Sequence, residues 1–345
     1  MIYKTLGKTG LKVSIIGFGA SPLGGEFGSI DPEEGRRAVN YAIEQGINYF
    51  DVAPYYGRTL AETRLGEFLE GKRDKIILTS KACRYDITDF DYSAKRIMRS
   101  IEESLKRLRT DYVDIYQIHD VEYGKREQII GEAIGAMFKL REQGKIRFIG
   151  ITGYPLTPLK EIAEALGPES EDIDTILSYC RYNLMDTTMD DILTPVVRRR
   201  GIGLVNASPL HMRVLTEKGA PYWHPAPERV LEAARKVAQL CRERGTTVSD
   251  LAMQFALAHK DVSITLVGMS KVRHVEANIK IVGTKAEPEL LAEVLEMIKP
   301  VANIYWKEGL PENDDPGAIE KRTLGMERSE DVKKSTGRPT AETNE

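Results

Sequence analysis

Cysteine is scarce. Cys83, Cys180 and Cys241 are the only three in 345 residues. Their odd number and wide spacing exclude a disulfide framework and fit a reducing compartment, where they are expected to be buried, reduced thiols. Histidine is also sparse. Five residues, at 119, 211, 224, 259 and 274, include no H-x-H pair, so no metal is expected. No apolar run approaches the roughly 18 residues of a membrane span. The N-terminal MIYKTLGKTG lacks an apolar signal core. A cytoplasmic protein without a membrane partner is the expectation. Charge of one sign is missing too: 49 basic residues against 52 acidic ones leave a net charge of −3, which offers no field for nucleic acid. A Rossmann fingerprint is absent as well. GFGASPLGG begins as G-x-G-x-x, but Pro22 follows and no helix opens where that motif needs one.

What is present is alternation. A short hairpin is expected at TLGKTGLKVS, with Gly7 and Gly10 bracketing its turn. Eight apolar runs then recur as strand candidates: SIIGFG (14–19), INYFD (47–51), KIILTSK (75–81), YVDIYQIHD (112–120), IRFIGITG (146–153), DTILSY (174–179), GLVNASPL (203–210) and SITLVGMS (263–270). Nearly every one is followed by amphipathic sequence. In 93–108, Ile97, Ile101, Leu105 and Leu108 keep a helical rhythm, and Asp31 is placed to cap a helix that ends at Gly46. Continuously apolar strands suit a parallel sheet covered on both faces. Eight such units predict an α/β fold, a closed (β/α)8 TIM barrel with an N-terminal β-hairpin and extra helices, among them 287–301. The barrel is assigned to residues 1–311. Residues 312–345 carry no aromatic residue and little apolar surface, so a flexible tail is expected there.

Sites in such barrels lie at the C-terminal ends of the strands. The second strand runs into FDVAPYYG, which brings Asp51 and Tyr56; the third ends in Lys81 and the fourth in His119. These positions converge on one rim. A lysine in a dry barrel mouth needs a counter-ion, and Asp51 can supply it. A tyrosine, ordinarily near pKa 10, has its phenolate favoured by a nearby ammonium, so Lys81 is expected to lower Tyr56. His119 can orient a substrate oxygen beside it. The group moves a proton on or off an oxygen, and it lacks a nucleophile. Hydride transfer is the missing half, which a nicotinamide cofactor would supply.

LGKTGLKVSIIGFGA, FDVAPYYG, TSK, DYVDIYQIHD, RFIGITG, NASPL and LVGMSKVRHVEAN together resemble the aldo-keto reductase superfamily over roughly residues 1–300. The resemblance implies a catalytic tetrad of Asp51, Tyr56, Lys81 and His119. GASPLGGEFG, SYCRYN and PYWHPA make the chain look closest to members of the L-galactose dehydrogenase and aldose 1-dehydrogenase kind. That likeness implies NAD-dependent oxidation of an L-galactose-like aldose at C1 to the lactone. The alternative is NADPH-dependent reduction of aldehydes or ketones. The family's nicotinamide amide is held by a Ser–Asn pair that here reads Thr152–Gly153, and by a glutamine whose nearest counterparts are Ser178 and Tyr179. Ala207 replaces a stacking aromatic. Ser208 and Leu210 match the turn along the pyrophosphate, and Gly268, Ser270, His274 and Asn278 the adenosine site. NADP-preferring forms place Lys and Arg where this chain has Gly268 and His274, so NAD is the expected cofactor and NADP the alternative, with Lys271 and Arg273 nearby. Phe27, Asp120, Trp223 and His224 are candidate sugar contacts. A monomer or small homo-oligomer is expected.

Overall fold

The computed structural model describes residues 1–25, 28–167 and 173–322. Phe27 and the chain beyond Arg322 lie outside them. The described residues form ten strands: β1 (Tyr3–Thr5), β2 (Lys12–Ser14), β3 (Ile16–Gly19), β4 (Tyr49–Asp51), β5 (Ile77–Ala82), β6 (Val113–Ile118), β7 (Ile146–Gly153), β8 (Thr175–Tyr179), β9 (Gly203–Ala207) and β10 (Val262–Gly268). β3 to β10 close into a parallel barrel, with β10 pairing back onto β3. β1 and β2 form the antiparallel hairpin.

Alternation along each strand divides two apolar layers. Tyr49, Ile77, Ile115, Leu177, Val205 and Ile264 fill the barrel interior together with Leu6 and Val13 from the hairpin, which therefore plugs the lower end. Their neighbours Phe50, Leu78, Tyr116, Ile176 and Leu204 face outward into the helix layer. This double burial is why the strands read as unbroken apolar runs. Gly7 is required at the plug: at φ 47°, an added Cβ would lie 2.3 Å from the Gly203 amide nitrogen.

The helix Ala94–Leu108 starts where Ser93 accepts from the Arg96 amide, and it buries the expected Ile97, Ile101, Leu105 and Leu108. Asp31 caps the helix Pro32–Glu44 by accepting from the Glu33 amide. The helical sequence after β8 forms two short helices, Thr188–Ile192 and Thr194–Arg200. Pro195 follows the break and has no N–H to continue the ladder. No helix of the described residues is long and apolar enough to cross a membrane.

The C-terminal expectation needs correction. Ordered, packed chain continues past 311 to Arg322, and Asn313 and Asp315 are buried. Asp315 accepts from the Leu156 and Thr157 amides, capping the helix Leu156–Ala165, and from Arg181 Nη1 at 2.6 Å. Asn313 Nδ2 donates to the Glu122 and Gly124 carbonyls. This strap is held by polar bonds, so a reading based on apolar content passes over it.

Candidate active site

Strand register builds the centre of the mouth. Asp51 pairs with Thr79 across β4 and β5, and Lys81 with Gln117 across β5 and β6. Lys81 and Asp51 are each 1% exposed. Lys81 Nζ donates to Asp51 Oδ1 at 2.5 Å, to the Val52 carbonyl at 3.0 Å and to Tyr56 Oη at 3.2 Å. The other carboxylate oxygen, Oδ2, accepts from Thr79 Oγ1 at 2.6 Å and Gln117 Nε2 at 3.0 Å. Each donor of the ammonium and each oxygen of the carboxylate is thus occupied. Such saturation is what makes a buried pair tolerable. The His119 ring stands edge-on to Tyr56, centroids 5.8 Å apart.

Burial alone would lower Lys81, but the Asp51 carboxylate and the Tyr56 hydroxyl more than offset it and hold the amine above its ordinary range. His119 is held well below its ordinary value by burial and by the Lys81 and Arg84 cations, so its imidazole is neutral. Tyr56 departs from the sequence expectation. Lys81 does attract the phenolate, but burial outweighs that attraction, and the phenol is pushed up to about 12.

The remaining predicted positions divide. Thr152 spends its hydroxyl on Asp120, accepting from its amide at 3.0 Å and donating to Oδ1 at 3.3 Å. Ser178 lies between the interior residues Leu177 and Tyr179, so its buried Oγ faces the helix layer, where it finds no hydrogen-bond partner among the described residues. Of the pair Ser178 and Tyr179, Tyr179 therefore faces the mouth. His224 is fully buried; Nε2 meets the His211 carbonyl and Nδ1 accepts from the Ala226 amide, so it anchors its loop instead of facing a ligand. Trp223 is exposed. Asp120 is at the mouth, paired with Arg84.

The profile of the aldo/keto reductase family matches residues 15–299. The chain belongs to the aldo/keto reductase family. L-galactose dehydrogenase from Arabidopsis thaliana is 44% identical over 317 residues, covering 90% of this chain and 98% of that protein. D-arabinose 1-dehydrogenase from Saccharomyces cerevisiae is 30% identical over 293 residues, covering 79% and 87%. Among solved structures, a holo-form aldo-keto reductase from Bacillus halodurans superposes with a TM-score of 0.72 at 27% identity, covering 91% of this chain and all of that one.

Aldo-keto reductases are oxidoreductases that use nicotinamide cofactors. Ala207, Gly268 and Gly19 top the adjacent strands β9, β10 and β3, a shelf almost without side chains. A Cβ at Gly19 would come within 3.0 Å of the Val267 carbonyl, and one at Gly268 within 3.1 Å of Pro22. Beside the shelf, Ser208 has φ 59° and His211, Met212 and Arg213 are also left-handed, so this aldo/keto reductase carries a tightly wound loop after β9. Beyond it, the Ser270 amide donates to His274 Nδ1 at 3.4 Å and Asn278 Nδ2 to the His274 carbonyl at 2.8 Å.

Sequence reasoning missed two residues of this aldo/keto reductase's mouth. Arg84 follows β5 and pairs with Asp120; its position, three residues past Lys81, was the available signal. Glu34, on the helix Pro32–Glu44, pairs with Arg37 at 2.8 Å and lies near the start of the helix Val272–Ile281, where Arg37 first and then the Val272 amide and Lys271 hold its carboxyl below the ordinary range. No local signal links residues so far apart in sequence.

Proposed function

We propose that this protein oxidises a neutral aldose of the L-galactose type at C1 to the lactone, with NAD as hydride acceptor. The observation that carries the reading is the Lys81 ammonium shared between the Asp51 carboxylate and the Tyr56 hydroxyl, with a neutral His119 ring beside them. The likeness to L-galactose dehydrogenase over nearly that protein's whole length supports the substrate class.

When bound on the Gly19–Gly268–Ala207 shelf, the nicotinamide supplies the hydride acceptor. The chain's own residues handle the proton and the position. The hydrogen on C1 leaves with its electron pair, and the O1 proton passes to Tyr56 Oη as the C1–O1 bond becomes a carbonyl. Lys81 stabilises the phenolate that must receive this proton, Asp51 keeps Lys81 charged and aimed, and His119 fixes O1. Reversing each step gives carbonyl reduction. One observation favours that second reading: with Tyr56 pushed up to about 12, the free protein presents a general acid at neutral pH.

Purified protein incubated with a panel of free aldoses and either NAD or NADP decides between them. Formation of reduced NAD with L-galactose-type sugars is expected. Consumption of NADPH by aldehydes or ketones, with no aldose oxidised, would transfer the assignment to the reductase reading.

Cofactor choice has a support beyond Gly268 and His274. The Glu34 carboxylate, paired with Arg37 and held low by that pairing and by the nearby Val272 amide and Lys271, stands by the start of the helix where a 2′-phosphate would seek the same donors. Glu34→Gln is expected to raise NADP affinity roughly tenfold or more relative to NAD. Titrating both dinucleotides against the protein's intrinsic fluorescence measures it; an unchanged ratio would remove Glu34 from the explanation.

A further inference from the structure

Arg84 and Asp120 form a second charged pair in the mouth, beside the tetrad and with no part in it. Each stands just past a strand end, Asp120 on strained backbone and Arg84 directly after a strained residue. Asp120 has φ 51°, and Arg84 follows Cys83 at φ 81°. Non-glycine residues in this region cost of order 1–3 kcal/mol each and persist where surrounding structure over-determines them.

That surrounding structure is specific. Asp120 Oδ1 accepts from Thr152, its amide donates to the same hydroxyl, and its carbonyl accepts from Tyr92 Oη at 2.5 Å. Oδ2 is taken by Arg84 Nη1. The carboxylate lies 3.7 Å from His119 Nε2, the group assigned above to fix O1. The Arg84 guanidinium sits 3.8 Å over the Tyr55 ring, with Phe90 at 5.3 Å and Tyr123 at 5.5 Å. Phe90 and Tyr123 stack on each other at 4.1 Å. Arg84 Nε is buried without a hydrogen-bond partner among the described residues.

Charge sets what this arrangement can accept. Lys81 is spent on Asp51, and Arg84 on Asp120. The other titratable groups near the pair, Glu122, Glu308, Tyr55, Tyr92, Tyr179 and the neutral His119, add no cation to it. Glu308 accepts from Tyr123 Oη and from Lys321 at the outer edge. An unpaired arginine here would bind a carboxylate or phosphate bidentately. Paired, it offers one donor set next to one acceptor set over an aromatic floor, which suits the vicinal hydroxyls of a neutral polyol. An anion would meet Asp120 and Glu308.

We propose that Arg84 and Asp120 are a specificity pair that admits neutral polyols and rejects their anionic counterparts, hexuronates and sugar phosphates. The inference rests on the aldose reading above for its substrate, and on the pair alone for its selectivity.

The quantity to measure is the ratio of kcat/KM for a hexuronate to that for the matching neutral hexose. Asp120→Asn keeps the side-chain volume and frees the guanidinium, so this ratio should rise by about tenfold or more. Arg84→Gln leaves the acid uncompensated, so the ratio should fall. The double variant should lose the gain of the first. Opposite shifts in the two single variants, cancelled in the double, establish the pair. An unchanged ratio, or a shift of both in one direction, overturns it. Should Asp120→Asn fail to fold, the fall in Arg84→Gln is the deciding arm. If the wild-type protein oxidises no aldose, the proposed function falls by itself. The same ratio is then read in the reducing direction, with glyoxylate against glyceraldehyde, and the same shifts decide.

Discussion

Tyr56→Phe is expected to lower aldose oxidation by about 10²- to 10⁴-fold, the usual contribution of a positioned proton donor or acceptor, with dinucleotide affinity unchanged. The hydroxyl is the one group near the reacting oxygen that both carries a proton and touches the Lys81 ammonium. Phenylalanine keeps the ring against His119 and removes only that proton path. The same residue sets the pH dependence. A phenol pushed up to about 12 is almost wholly protonated in the free protein at neutral pH. Oxidation needs the phenolate, so its kcat/KM should rise with pH through the neutral and mildly alkaline range. Reduction needs the phenol and should stay level over that range. Initial rates in both directions, in buffers of constant ionic strength, test this. A flat oxidation profile, or a Tyr56→Phe variant that turns over normally, would move proton transfer to another group.

Lys81→Met should be the most damaging change to the fold as well as to turnover. It leaves Asp51 buried without a counter-ion, and breaking such a pair from one side costs about 3–5 kcal/mol. Thr79 and Gln117 still donate to the stranded carboxylate, which places the expected loss toward the lower end. Since Lys81 is held above its ordinary value near 10.5, the pair's stabilisation is complete at neutral pH and is lost only as pH rises through the raised value. Denaturant unfolding of wild type and variant at neutral pH measures the cost, and the gap should narrow toward strongly alkaline pH. A variant as stable as wild type would show that the pair serves only catalysis. Activity should fall with Tyr56→Phe, because the phenolate loses its partner.

The barrel and the meeting of Asp51, Tyr56, Lys81 and His119 at its mouth were legible because both rest on strands. Apolar runs of fixed length announce a sheet buried on two faces, and reading the residue at each strand end gives Asp51, Lys81 and His119 directly. What was not legible depends on parity, charge or distance. Ser178 was one residue out of phase with the interior, which the placement of Leu177 and Tyr179 decides. Thr152 had the right chemistry, but its hydroxyl was already committed to Asp120. The sign of the Tyr56 shift turned on the magnitude of burial against one ammonium. Glu34 and Asp315 act through contacts 238 and 159 residues away in sequence, to Val272 and Leu156, and composition carries no trace of either.

Closure of the barrel between β10 and β3 has a consequence in time. Asp51, Tyr56, Lys81 and His119 all lie in the first 119 positions, yet the sheet that aligns them is completed by Val262–Gly268, which supplies none of them. During synthesis β3 to β6 emerge with the full set of reactive side chains and two unpaired, apolar edges, the surfaces through which chains aggregate. That exposure lasts until the eighth barrel strand is made. Lower temperature during expression, which weakens association between apolar edges, protects this half of the chain until its missing edge is made.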